Sequence, residues 1–508
     1  MAYHHRERQT DFSGGYNDRD NDVLLQDNES PDMCNTDLGK RGTFSVRPGT
    51  ALMRSDPVSA AGVPVTSVYE FINRNGVEMF LACAGTSLKK AIVGGWQLLR
   101  DTFTDGSYFE FITNALINMA LLVNGEDGYY ETDGVTCDEV VPYAPTPDEL
   151  TEIGACFIPT KPKLIEYHHY RTWLGNVDGY PDRVYCCVDD INGNTLYNYF
   201  TTYSWYRASS SKGEGITAIK SFKERLYVFT RTSIKVISGK DIDEFVMFDL
   251  FNTVGAVSSR TIWEVDGYLI FLAVDGVYMF DGQNPPMKVS IRIPETINRI
   301  STAHRHLSAG AAWMGKYFLS IPESTVNDLT MVYDTDVVPL TYIGDKHSYA
   351  NSPWMPHRGY VPCQWIVRND LNLYFGATDG YVYQYGVGDT DGGSAIEAYY
   401  TTKFLTLNAP DRVKRVRNVR VEVRPVLESF MLIEYMTEKS SDWERLKQAN
   451  LGVPSDTAFI PFPNGRGPVC RKFRLKFSTV YTGSKFSVEG YVLDMAVRGN
   501  ENQSAGKE

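Results

Sequence analysis

Residues 261–280 read Thr261-Ile262-Trp263-Glu264-Val265, Asp266-Gly267, Tyr268-Leu269-Ile270-Phe271-Leu272, Ala273-Val274-Asp275-Gly276, Val277-Tyr278-Met279-Phe280. β-branched and aromatic residues fill the three apolar runs, as a half-buried pleated surface favours. Asp-Gly separates them twice. Both central residues of the favoured two-residue hairpin turn take positive φ, which Asp and Gly tolerate at least cost. The stretch therefore predicts an antiparallel meander of three strands, the unit of a propeller blade.

The same pattern recurs on either side. Residues 67–86 carry it with an Asn75-Gly76 turn, and residues 109–130 with an Asp127-Gly128 turn. Residues 164–185 are a looser copy, and 216–236 a fourth. After the opening stretch come residues 309–334 and then 364–383, which include Thr378-Asp379-Gly380-Tyr381-Val382-Tyr383. Copies spaced roughly 40–55 residues apart match the period of propeller blades. One blade cannot bury both of its faces, so the copies are expected to close into a ring of six or seven, with seven favoured.

The fold expected is all-β. Residues 1–60 are polar, rich in Gly, Asp and Asn, and without periodicity. They read as an extended N-terminal arm that orders against something else. Residues 61–395 are the propeller. Residues 396–498 show longer alternating strands and read as a separate β-sandwich platform, and 499–508 as a polar tail. One short helix is expected at residues 441–450, from Asp442 and Glu444 early and Lys447 late.

Composition narrows the function. Of 508 residues 43% are hydrophobic and 13% aromatic, with 32 Tyr and 25 Phe, which is the make-up of a globular chain rich in strands. The net charge of −12 argues against wrapping nucleic acid by phosphate neutralisation, though a weakly repulsive wall would let DNA slide past. The eight cysteines show no CxxC spacing and read as reduced, small apolar fillers of a protein assembled in a cytosol. No run approaches the roughly 18–20 apolar residues that span a bilayer, and the polar opening is not a signal peptide.

Catalytic and metal motifs are weak. His304 and His306 would share a strand face, but a polar loop beside Arg305 is the plainer reading. His168 and His169 would point opposite ways on a strand. Asp389-Thr390-Asp391-Gly392 and the aspartates of residues 18–22 lack the downstream bidentate carboxylate of a calcium loop and read as turns. GxSxG, the phosphate-cradling GxxxxGK[ST] and sialidase-type Asp boxes are absent from the sequence. No catalytic residue, metal or cofactor is expected. The one charged cluster is Arg412, Lys414, Arg415, Arg417, Arg420 and Arg424, several of which would share one strand face. They read either as a solvated sheet face or as a subunit contact with an acidic neighbour, or as a basic collar near DNA.

The opening arm adds a resemblance. Gly14-Gly15-Tyr16-Asn17, Leu24-Leu25, Glu29, Asn35, Lys40-Arg41-Gly42-Thr43-Phe44 and Arg47-Pro48-Gly49 resemble the start of bacteriophage virion proteins of the tail-nozzle or packaged-DNA-stabilisation type. Val274 to Gly282, and Thr402-Lys403 followed by Pro410 and Lys414, resemble the same proteins. The resemblance implies a non-enzymatic structural protein of the virion tail, assembled in the host cytoplasm. It implies a ring, commonly hexameric, that closes the DNA channel below the head-to-tail adaptor and opens for ejection. Its partners would be copies of itself, adaptor or portal-side proteins, tail fibres or spikes, and genomic double-stranded DNA passing without sequence recognition. Gly14, Gly15, Asn17, Arg47, Pro48 and Gly49 would belong to an arm that docks on a neighbour. The acidic balance and the additional C-terminal domain depart from that pattern. A receptor- or glycan-binding tail-tip propeller, with exposed aromatics such as Trp205-Tyr206 or Trp354, is the alternative. An enzyme acting on host glycans would instead need convergent carboxylates at the hub.

Overall fold

The computed structural model describes residues 3–22, 24–39, 41–208, 213–337, 352–406, 410–462 and 466–497. Lys40, Leu407 and the tail 499–508 lie outside the described residues.

Seven blades form. The first is built from Val65–Ile72, Glu78–Ala84, Ser87–Ile92 and Gly95–Arg100, hydrogen-bonded in sequence order. Five more four-stranded blades follow the same order, beginning at Glu110–Asn114, Leu164–His168, Ala218–Phe222, Trp263–Val265 and Ala309–Trp313. In the opening stretch Asp266 and Gly267 both adopt positive φ, 50° and 76°, as the hairpin required. Thr261 ends a 3-10 turn there, so the innermost strand starts at Trp263.

The seventh blade is completed from the far end of the chain. Pro362–Val367, Leu373–Ala377 and Val382–Tyr385 are followed outward by Thr50–Leu52, a strand inside the stretch read as arm. Closing a ring with a strand from the other terminus hydrogen-bonds the outer edge of Val382–Tyr385 and ties the two ends of the propeller together. Apolar faces of neighbouring blades meet all the way round. Leu81, Leu122 and Phe103 pack between the first and second blades, and Val65, Phe80 and Tyr374 between the seventh and first.

The C-terminal region is the expected sandwich. One sheet runs Asp32–Cys34, Ala398–Thr401, Phe473–Thr479, Phe430–Thr437, Glu444–Asn450. The other centres on Lys414–Val423 and Ser487–Val497, joined by Tyr3–Gln9, Phe44–Val46 and Thr36–Leu38 from the N-terminal stretch. Phe44 stacks on Tyr400 at 4.2 Å and meets Phe12 edge-on at 4.8 Å in the core between the sheets. That core continues through Leu38 and Met355 to Phe318 and Trp365 of the sixth and seventh blades.

Two expectations are corrected. The helix expected at residues 441–450 is the edge strand Glu444–Asn450, paired with Phe430–Thr437. Its charges are those of a solvated edge, and pairing to an apolar neighbour outweighs a weak end-charge signal. The arm is extended, but what it orders against is its own chain: its strands enter both sandwich sheets and the seventh blade. Helices Pro147–Glu152 and Pro294–Arg299 were not expected; the first starts with a Thr146–Glu149 capping box.

Candidate functional site

Three places gather chemistry: the joint between arm and blades, the outer face of the sandwich, and the mouth of the propeller channel.

At the joint, the residues expected to dock on a neighbour grip this chain instead. Arg47 is fully buried and pairs with Asp391 through both guanidinium ends, at 3.0 and 2.5 Å. Its Nε donates to Asn35 Oδ1 at 2.8 Å, and its remaining donors reach the carbonyls of Pro48 and Arg358. A buried charge is tolerable only when paired and fully hydrogen-bonded, which this one is. Gly49 packs so closely on Thr390 that a Cβ would sit 2.2 Å from its carbonyl oxygen. Gly15 has φ +70 and lies against Pro353, where a Cβ would come within 2.6 Å. Gly14 is as crowded, against Glu29 and Asn28. Asn17 forms a local turn, its Oδ1 accepting from the backbone N–H of Arg19 and Asp20. Asp18 accepts from the backbone N–H of Glu295 and Thr296 in the short helix Pro294–Arg299. Of the two aspartate runs read as turns, one thus caps a helix through Asp18 and the other supplies Asp391, the partner of Arg47.

On the sandwich face the six basic residues divide. A bulge between Val416 and Asn418 interrupts the alternation. Lys414 therefore turns inward with Val416; it is fully buried, donates to the carbonyl of Arg471 at 2.8 Å, and burial lowers its pKa. It is not a surface contact. Arg415 is half-buried, while Arg412, Arg417, Arg420 and Arg424 are exposed. Arg424 pairs with Glu489 at 3.1 Å, and Arg420 donates to the carbonyl of Ala458. The adjoining strand adds Arg6, paired with Asp494, and Arg8, paired with Glu422.

The channel was not legible in the sequence. Glu110, Glu166, Lys220 and Glu264 stand on the innermost strands of four successive blades. Lys220 Nζ lies 3.4 Å from Glu166, and that charge, reinforced by Glu110 and Glu264, raises its pKa despite the enclosing wall. Burial raises the pKa of Glu110, whose carboxylate accepts a hydrogen bond from Ser259. Placing the first strands of the repeats side by side is the signal that would have found them. Convergent carboxylates were the mark set for a catalytic hub. Here Lys220 pairs with one of the three, Glu166, and Glu110 accepts a hydrogen bond from Ser259.

Above them opens a cavity of about 460 Å³, where the innermost strands of the second to fifth blades begin. Arg260 crosses its wall, donating to the carbonyl of His306 at 2.6 Å and lying 4.0 Å over the Tyr108 ring. His304 and His306 belong to a 3-10 turn, not a strand, and His304 Nδ1 meets Ser301 Oγ at 3.0 Å. Among the described residues no group of three or more His, Cys, Asp or Glu is placed to hold a metal ion. His168 and His169 are not splayed: φ +47 at His169 folds the two rings to 4.2 Å. Trp354 is fully buried and Trp205 is capped by Arg183 at 3.9 Å, so neither is an open stacking platform. All eight cysteines are free thiols, seven of them buried.

The chain is thus a seven-bladed β-propeller joined to a β-sandwich by its own N-terminal segment. No protein-family model matches it, and no curated protein does. Among solved structures it is similar to virginiamycin B lyase from Staphylococcus aureus, at 9% identity and TM-score 0.43, over 66% of this chain and 98% of that one. It is also similar to the Neurospora crassa Pan2 WD40 domain, at 8% identity and TM-score 0.37, over 67% of this chain and 95% of that one. A third is the extracellular domain of a hybrid two component system from B. thetaiotaomicron, at 10% identity and TM-score 0.42, over 85% of this chain and 58% of that one.

Proposed function

We propose that this protein is a structural subunit of a bacteriophage tail. Copies form the ring-shaped nozzle below the head-to-tail adaptor, which retains the packaged genome and opens for ejection. The reading starts from the resemblance carried by residues 14–49. One observation supports the ring: charge is divided along the chain, with residues 1–60, whose strands complete the sandwich and the seventh blade, holding 7 Lys and Arg against 10 Asp and Glu. Residues 61–395 hold 25 Lys and Arg against 39 Asp and Glu, whereas residues 396–498 hold 17 against 11. Opposite signs on one chain favour contact between the sandwich of one copy and the propeller of the next, and they disfavour like-to-like contact. Such a heterologous contact, repeated, closes into a ring when its rotation allows. Arg412, Arg417, Arg420 and Arg424 stand exposed on the sandwich.

The genome would pass between copies and not through the propeller hub, which Lys220 and its carboxylates occupy. The net charge of −12 suits a wall that duplex DNA slides along without recognition of its sequence. The protein acts as scaffold, without turnover, alongside adaptor or portal-side proteins and tail fibres or spikes. Cryo-electron microscopy of the virion tests this. Ring density below the adaptor that fits the propeller and sandwich is expected; tail density with no place for them would refute it.

A further inference from the structure

A smaller cavity, of about 190 Å³, opens on the seventh blade. Among the described residues its lining carries two carboxylates, Asp379 and Asp391, and no lysine, arginine or histidine. Asp391 is compensated from behind the wall by Arg47. Asp379 is exposed and is not compensated. Its carboxylate accepts from the Tyr383 hydroxyl at 2.7 Å and from the Tyr381 backbone N–H at 3.1 Å. It forms no ion pair among the described residues. The lining therefore keeps one uncompensated negative charge, which draws a cation.

The walls select among cations. Tyr360, Phe375 and Tyr383 line the cavity, and Phe375 stacks on Tyr383 at 5.4 Å. Aromatic faces beside a carboxylate favour a guanidinium, which is planar and weakly hydrated, over an ammonium. The chain uses this chemistry on the same wall: the Arg47 guanidinium lies 4.8 Å over the Tyr360 ring and is held by Asp391. The volume falls below the roughly 300–1,000 Å³ of small-molecule pockets, so the cavity suits one side chain and not a whole ligand.

We propose that this cavity receives an arginine side chain from the sandwich of the next copy. The guanidinium pairs with Asp379 and lies along the Tyr383 ring. Charge complementarity names the donor: residues 396–498 hold the chain's excess of cations, and Arg412 there is exposed and forms no ion pair among the described residues. The inference rests on the ring reading above and adds to it the receptor on the propeller.

Two measurements on the full-length chain separate the pocket from the ring. Ligand-observed NMR titration uses N-acetyl-L-arginine amide, N-acetyl-L-lysine amide and N-acetyl-L-norleucine amide as probes. Saturable binding of the arginine probe is expected, at least threefold tighter than either of the others, and Asp379→Asn should weaken it at least fivefold. Asparagine keeps a side-chain oxygen to accept from the Tyr381 N–H, so circular dichroism should match the unmodified protein. Sedimentation velocity then follows assembly. Asp379→Asn should raise the concentration of half-assembly at least tenfold, and Asp379→Arg should leave monomer. Absence of arginine-probe binding, lysine or norleucine binding as tight, or binding unchanged in Asp379→Asn would overturn the pocket whatever the ring does. Asp379→Asn assembling at the same concentration as the unmodified chain would overturn the assignment to the next copy and leave the ring reading standing. An unmodified chain that stays monomeric would overturn both.

Discussion

Arg47 and Asp391 form a bidentate ion pair in the protein interior across 344 positions of sequence. The pair fixes the arm to the extension of the seventh blade, beside the strand Thr50–Leu52 that closes the propeller. Desolvating two charges cancels much of their attraction, so the pair contributes to which ends meet more than to net stability. Removing one partner is another matter. Arg47→Ala should lower stability by about 3–5 kcal/mol, because Asp391 is left buried without its counter-charge. The combined Arg47→Met and Asp391→Leu variant should lose less than the two single changes added together. Denaturant unfolding curves of the three variants check this.

Gly49 tests the closure itself. A methyl group there meets the Thr390 carbonyl at 2.2 Å, and backbone cannot move aside cheaply. Gly49→Ala is expected to free Thr50–Leu52 from Val382–Tyr385, so that amides of the seventh blade lose exchange protection ahead of the other blades. Uniform protection across all the blades would mean that the arm strand does not hold the seam.

A pH dependence follows from His168, buried with its Nδ1 2.8 Å from Ser221 Oγ. Burial, aided by the neighbouring His169, pushes its pKa down from 6.5 to about 4. The unfolded chain then takes up the proton first as pH falls. Its contribution to stability is whole above pH 6.5 and is lost progressively toward about 4. Burial lowers the pKa of His357 as well, with the same sign. The His168 part is worth roughly 2–3 kcal/mol. Thermal melts between those limits should show the slope, and His168→Gln should flatten it.

The channel carboxylates give a direct check on the scaffold reading. Incubation with host capsular or lipopolysaccharide glycans should release no reducing ends at any pH near neutrality. Release that disappears in Glu110→Gln would identify Glu110 as a general acid and would replace scaffold with hydrolase.

The blades were legible because each meander carries its own turn chemistry: Asp266-Gly267 specifies a hairpin whatever lies elsewhere in the chain. The basic cluster was legible as composition but not as geometry. The bulge between Val416 and Asn418 reverses the side on which Lys414 falls, and bulges leave no reliable local signal. The arm misled for a different reason. Several of its buried side chains are polar, Asn17, Glu29, Asn35 and Arg47, and its apolar ones, Phe12, Leu25, Met33, Leu38 and Phe44, are scattered without a strand period, so the segment reads as solvated. Their partners, Arg292 for Glu29 and Asp391 for Arg47, lie hundreds of residues away, where no local pattern reaches. The channel residues Glu110, Glu166 and Lys220 are likewise brought together only by ring closure.

The central claim is that the basic sandwich of one copy meets the acidic propeller of the next and so builds a ring. Mass photometry of the purified chain across a salt series measures this most directly. One closed oligomer of defined mass at low ionic strength, dissociating as salt rises and absent in a variant with Arg417→Glu and Arg420→Glu, is the predicted result. A monomer at every concentration and salt, or an oligomer indifferent to both salt and these substitutions, would contradict it.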